Sequence, residues 1–412
     1  MKSKIKRILL AGVRCATPAF LLLNLLAMIL VLVNLIPNSA IYDNLCKSID
    51  YYKSMESFTK IGAEPGADLN QLNIIMQVDS KHPLKSAMLD AIYGKTGQFR
   101  DDLNGYQSIL GREKADHEYS RYWHGSQILW RPLLTVLTAR QIMLLCYGVY
   151  TILFMILMFR LGKQQQIPLA VGLIVIHTVW LIPNVFRVLN FIPVFLITVG
   201  AMLALCSDRV KPVVVFGVTG MLTAFFDFLT IETIALTFPL LLIVCREQKA
   251  GTLKILNCAK YGALWLFCYC FTFLYKWLLA SVILGKNYFA VAIREATKYK
   301  CDYGRLMSVK INVNAMMFGK VSYNASFAIL FYTVMALILF LYFFRKPGTE
   351  KFLFCVLIVC LIPYLRYFVM DGHSWEHAYM EFRAQLVIVP AILVAVCVGL
   401  RGMLKGGAKC QK

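Results

Sequence analysis

The stretch most able to do chemistry is residues 116–132, DHEYSRYWHGSQILWRP, where Asp116, His117, Glu118, Arg121, His124 and Arg131 alternate with Tyr119, Tyr122, Trp123 and Trp130. Carboxylates of this kind can take a proton from a hydroxyl, and arginine or histidine can stabilise a departing anion. The aromatics could stack on sugar rings, although an interfacial aromatic belt uses the same residues. A second group is DGHSWEHAYMEFR, residues 371–383, with His373, Glu376 and His377 in the H-x-x-E-H pattern of inverted zinc proteases. Glu381 follows too closely to act as the distal ligand such enzymes use, so no metal is assigned. The two imidazoles, with Tyr379 and Arg383, suit an anionic group or the cap of a membrane segment.

Three further acidic positions stand out. Asp227 sits among Phe225, Phe226 and Phe228, five residues before Glu232. An ionisable group in an apolar segment costs roughly 2.5–3.5 kcal/mol, so it needs a water-filled cavity or a partner such as Arg187 or Lys276. Asp43 follows the first apolar run in IYDN, and Asp68 lies in a long polar segment together with Asp79. No G-x-S-x-G elbow supports acyl hydrolysis.

The elements that must position these residues are apolar. The chain is 59% hydrophobic and 16% charged, with mean hydropathy +0.64, against about 25% charged for a soluble domain. It reads as an all-α polytopic membrane protein with about ten transmembrane helices. The first run follows a basic N-terminus, ends near Ile36 without a small-residue cleavage site, and reads as a retained span. The others lie near 141–160, 167–183, 190–207, 212–230, 231–246, 257–283, 323–344, 352–369 and 384–400. Three parts result: 1–36, a cytoplasmic N-terminus and first span; 37–138, a long first outer loop forming membrane-surface helices; and 139–412, a multispan core with outer loops near 284–322 and 370–383.

Charge sets the expected sidedness. The segments assigned inside hold 20 of the 43 lysines and arginines and only three acids, Asp208, Glu247 and Glu350. This satisfies the positive-inside rule with both termini cytoplasmic. The net charge of +21 is therefore topological and does not point to nucleic acid. Inner loops such as RLGKQQQ are short and carry no glycine-rich phosphate cradle, which excludes a cytoplasmic nucleotide site. Most of the 13 cysteines lie in apolar runs, where they act as small hydrophobes; only Cys46 and Cys301 fall in outer loops, where they could pair. The Asn324 sequon lies at a membrane edge.

This plan of first span, long outer loop, multispan core and outer acids resembles the GT-C superfamily of integral-membrane glycosyltransferases. The stretches YSRYWHG (119–125) and RP (131–132) resemble bacterial members associated with surface polysaccharides. The resemblance implies an enzyme that moves a sugar from a polyprenyl-phosphate donor to a cell-envelope glycan or lipid acceptor. Asp43 then occupies the place of the catalytic carboxylate, although Asn44 stands where some members have a second acid, and Asp68 or Glu118 could hold the role instead. Arg121, Tyr122, Trp123, His124, Arg131, Asp227, His373, His377 and Arg383 are the expected substrate contacts. No cofactor is implied beyond the lipid-linked donor, a divalent metal is left open, and the expected location is a bacterial plasma membrane. An envelope polysaccharide polymerase or ligase and a multispan transporter are the competing readings. The polymerase would more commonly place its large loop mid-chain, and a transporter would show internal repeats.

Overall fold

Hydrocarbon offers backbone N–H and C=O groups no partners but each other, so apolar runs of this length fold as helices. The computed structural model is helical nearly throughout and describes residues 2–53, 65–92, 115, 117–179, 186, 188–298, 302–318 and 349–407. Among the described residues, four helical stretches are long and apolar enough to cross a membrane: Ala139–Lys163, Ile255–Leu284, Glu350–Val369 and Ala378–Val398. Pro18–Val33 and Asn38–Tyr52 form a fifth if the pair is one span, but the two halves meet at 86°. Three of the expected spans are shorter apolar helices here, Ile167–Thr178, Ile192–Leu205 and Pro212–Phe226. The expected span near 323–344 and the Asn324 sequon lie outside the described residues, as does Cys301 and hence its pairing with Cys46.

Close helix contact is made possible by small residues. Pro212–Phe226 packs along Ile255–Leu284, with Phe216 stacked on Tyr261 at 5.1 Å between centroids. A Cβ on Gly220 would lie 2.4 Å from the Trp265 carbonyl oxygen. Loops at one end of the helices interlock through basic residues. Lys249 donates to the Gln164 carbonyl at 2.8 Å, and Arg246 pairs with Asp208 at 2.6 Å.

The polar segment after the first helix folds into short helices at the other end: Asn38–Lys53, Pro65–Met76, Pro83–Leu89 and Gln127–Leu134. A two-residue strand pair, Ala91–Ile92 with His117–Glu118, closes it. Three buried charges fix this segment. The Arg131 guanidinium, fully buried, donates to the carbonyls of Val33 at 3.2 Å, Ile75 at 2.5 Å and Ile36, and to the Asn38 side chain. Asp68 accepts from the Tyr52 hydroxyl at 2.6 Å and from the backbone N–H groups of Leu189 at 2.8 Å and Asn190 at 3.0 Å. Asp90 accepts from Lys276 at 2.7 Å and from Gln127 at 3.1 Å, which ties the segment to helix Ile255–Leu284. Lys276 is therefore engaged by Asp90 and does not serve as the partner anticipated for Asp227; Arg187 lies outside the described residues.

Candidate site at the helix ends

Three chain breaks converge where these anchors meet the core. The first is the turn after Phe226, the second the break between Val369 and Asp371, and the third the loop ahead of Gln127–Leu134. Each exposes backbone and polar side chains among helices that are otherwise apolar.

Arg366 is the centre of the first two. It lies near the C-terminus of helix Glu350–Val369, and its side chain is 8% exposed. Its Nε donates to Glu232 Oε1 at 2.6 Å, Nη1 to Ser374 Oγ at 2.6 Å and to Glu381, and Nη2 to the Leu229 carbonyl at 2.7 Å. A guanidinium carries five donors in a planar fork, which suits this number of acceptors on several elements. Glu381 also meets His373 Nδ1 at 2.5 Å, and the rings of His373 and His377 stand 4.5 Å apart. Burial pushes both imidazoles down to about 3, with the Arg366 charge adding to the effect at each. Both are therefore neutral, and His373 donates its Nδ1–H to the Glu381 carboxylate. His377 caps the short helix Asp371–Glu376, and its N–H bonds back to the His373 carbonyl at 3.0 Å, which keeps the two imidazoles on one side. Among the described residues, no group of three or more His, Cys, Asp or Glu is placed to hold a metal ion.

Asp227 caps the end of Pro212–Phe226 and accepts from the backbone N–H of Thr230 at 2.9 Å and from its hydroxyl at 2.5 Å. Burial, with the Glu232 carboxylate beside it, pushes Asp227 up to about 7.

The third break supplies an aromatic wall. Arg121 lies over Tyr119 at 4.5 Å and Tyr122 at 5.1 Å, reaches Glu295 at 3.5 Å, and bears electrostatically on both His373 and His377. His124 sits at φ +48, a left-handed conformation that is strained for a residue with a Cβ. Its Nε2 meets the Tyr119 carbonyl at 3.1 Å, while the buried Nδ1 has no partner among the described residues. Phe228, from the Asp227 turn, packs on its ring at 4.5 Å. Gly125 permits this approach, because its N–H reaches the Phe225 carbonyl at 2.9 Å and a Cβ there would lie 2.1 Å from the Phe225 ring.

The structure thus brings Arg121, Tyr122, His124, Asp227, His373 and His377 into one neighbourhood and uses other expected residues elsewhere. Trp123 is fully buried and donates its indole N–H to the Thr272 carbonyl at 2.8 Å, with Lys276 over its ring at 5.3 Å. Arg131 and Asp68 are the anchors already described. Arg383 donates to the Tyr379 and Met380 carbonyls at 2.9 and 3.1 Å and lies over Phe191 at 4.7 Å. Glu118 is half exposed and pairs with Lys286 at 2.6 Å. Asp43 is exposed on helix Asn38–Lys53 and makes no hydrogen bond or ion pair with a described residue.

Arg366, Glu381 and Ser374 were not among the residues singled out from sequence. Arg366 had a readable signal, as the one charged residue in the apolar run CLIPYLRYFVM. Glu381 was set aside as a metal ligand and has none as a guanidinium partner.

No protein family, no curated protein and no solved structure matches the chain.

Proposed function

We propose that this membrane protein is a glycosyltransferase that takes its sugar from a polyprenyl-phosphate donor at the outer face and passes it to a cell-envelope glycan or lipid. The observation that carries the reading is the convergence of loop 117–124 with loop 371–377, two polar stretches far apart in sequence, at one end of the helices. Arg121, over Tyr119 and Tyr122, offers a cation and ring faces together. That combination suits a lipid phosphate and the sugar it carries. The neutral imidazoles of His373 and His377 supply N–H donors rather than charge.

In this reading Asp43 takes the proton from the acceptor hydroxyl as it attacks the anomeric carbon, and the lipid phosphate leaves with the bonding electrons. Exposure and the lack of a partner among the described residues leave Asp43 available for that work, whereas both Asp68 oxygens are already engaged. The reading carries with it the ten-span topology with both termini cytoplasmic, the GT-C-like first loop along the membrane surface, and a bacterial plasma membrane.

The test compares surface glycans with and without the gene, together with transfer by the purified protein from polyprenyl-phosphate sugars. A defined sugar should be missing after deletion. Asp43→Asn should lower transfer ~10²–10⁴-fold while leaving the unfolding temperature unchanged. Unaltered glycans on deletion would remove the reading, and wild-type transfer by Asp43→Asn would remove Asp43 from it.

A further inference from the structure

The charges around Arg366 do not balance. Glu232 and Glu381 both pair with the one guanidinium, and Asp227 stands beside them. Both imidazoles are neutral. Counting Asp227 as protonated and Glu232 and Glu381 as carboxylates, this group carries one negative charge more than Arg366 balances. Among the described residues, Arg121 pairs with Glu295 at 3.5 Å, Lys276 pairs with Asp90 at 2.7 Å, and Arg383 donates to the Tyr379 and Met380 carbonyls.

Two buried oxygen atoms lie at this cluster. Glu232 uses Oε1 on Arg366, while its Oε2 is buried without a hydrogen-bond partner among the described residues. The Tyr269 hydroxyl is likewise buried and unpartnered, and it lies in the field of Glu232, Asp227 and Arg366. The next side chain along the turn, Thr233, has a buried and unpartnered hydroxyl as well. A buried polar atom without a partner costs ~1–3 kcal/mol, so these atoms call for a bound water or ion. Water would satisfy the hydrogen bonds and leave the charge. A compact cation satisfies both.

We propose that Glu232 Oε2 and the Tyr269 hydroxyl form a binding site for a compact monovalent cation, either an ammonium group, free or carried on a substrate, or an alkali-metal ion. One carboxylate oxygen and a few hydroxyl oxygens match the three donors of an ammonium or the single charge of an alkali ion. A calcium ion takes six to eight oxygen ligands. The site uses the same cluster as the transfer reading but does not require sugar transfer.

The experiment follows thermal unfolding of the full chain in lipid nanodiscs without any sugar donor. Ionic strength is held with choline chloride, which is exchanged stepwise for sodium, potassium or methylammonium chloride. Wild type should show a saturable rise in unfolding temperature, at least ~2 °C, with one compact cation and none with choline. Which salt acts separates an ammonium group from an alkali ion. Glu232→Gln should abolish the rise, and Tyr269→Phe should raise the half-saturating concentration at least ~10-fold, about one lost hydrogen bond to a charged group. Identical behaviour in all salts overturns the site, as does an undiminished response in Glu232→Gln. A response to pH alone also overturns it, by assigning the leftover charge to bound protons. Should Glu232→Gln fail to fold, an unchanged half-saturation in Tyr269→Phe overturns it equally. A cation response in a protein that moves no sugar keeps the site and removes the transfer reading.

Discussion

Buried charge is gathered in two regions, and they are built on opposite principles. In the anchors of the polar segment each charged atom has its partner. Arg131 is bound by three carbonyls and an amide oxygen, Asp68 by three donors, and Asp90 by Lys276 and Gln127. Around Arg366 the carboxylates outnumber the guanidinium, and Glu232 Oε2 has no partner among the described residues. A saturated buried charge holds chain segments together, and removing one partner is costly. A cluster with surplus charge and open acceptors holds less by itself and leaves room for a ligand. The difference separates residues of the same type: Arg131 and Arg366 are both buried arginines, and only the second sits in an incomplete site.

The largest expected effect tests the saturated region. Arg131→Met strands three backbone carbonyls and the Asn38 side chain, with a cost of about 3–5 kcal/mol. The protein should lose its cooperative unfolding transition or fail to accumulate in the membrane. Arg131→Lys should recover little, because an ammonium does not reproduce the planar fork. A well-folded Arg131→Met protein of normal unfolding temperature would show that these bonds do not anchor the segment.

The next comparison sets one carboxylate from each region side by side. Lys276→Met leaves the Asp90 carboxyl buried without its cation, at a cost of about 3–5 kcal/mol, and adding Asp90→Asn should restore more than half of it. Asp227→Asn replaces a carboxyl in a region with surplus carboxylates, and an amide mimics the protonated acid that burial favours there. Its unfolding free energy should stay within about 1 kcal/mol of wild type. Denaturation of the four proteins at pH 7 decides the matter; an Asp227→Asn loss as large as that of Lys276→Met would erase the distinction between the regions.

pH separates the regions by sign. Burial lowers His373 from 6.5 to about 3, so the unfolded chain takes up that proton first. The stability His373 contributes is present above pH 6.5 and is lost as pH falls toward 3. Asp68 moves the other way, raised from 3.8 to about 7 because burial outweighs its three donors. Its contribution is present below pH 3.8 and is lost as pH rises through 7. Each slope is at most ~1.4 kcal/mol per pH unit. Unfolding temperatures between pH 4 and 7 should therefore show His373→Gln closing on wild type as pH falls, and Asp68→Asn closing on it as pH rises. Parallel curves for both variants would remove these two groups from the linkage.

Much of the fold was legible because apolar length and charge asymmetry are local properties of the chain. The helices at 139–163, 255–284 and 350–369 and the polar segment between the first two long apolar runs could be read from them. The site was legible where a residue violated its surroundings, as Asp227 does among three phenylalanines. It was not legible where a role depends on a partner far along the chain. Arg131 and Arg121 stand in the same stretch, and nothing local distinguishes the one that meets Val33, Ile36 and Ile75 from the one that lies over two tyrosines. The same holds for Asp68, whose donors Leu189 and Asn190 come from another loop. Arg366 carried a local signal, because a lone guanidinium in an apolar helix is expensive unless something pairs with it.

The smallest expected effect belongs to Glu118, which is in neither region. Its side chain and that of Lys286 are 41% and 49% exposed, so the 2.6 Å pair between them is screened by solvent. An exposed pair of this kind contributes ~0–1 kcal/mol. Glu118→Gln should leave the unfolding temperature within about 1 °C of wild type and nearly independent of salt. That near-silence makes Glu118 a sharp probe of chemistry, because a fall in transfer rate in this variant could not be assigned to a loosened fold. A ~10²-fold or greater fall would move the proton-accepting role from Asp43 to Glu118, and an unchanged rate would leave it as a surface ion pair at the rim of the aromatic wall.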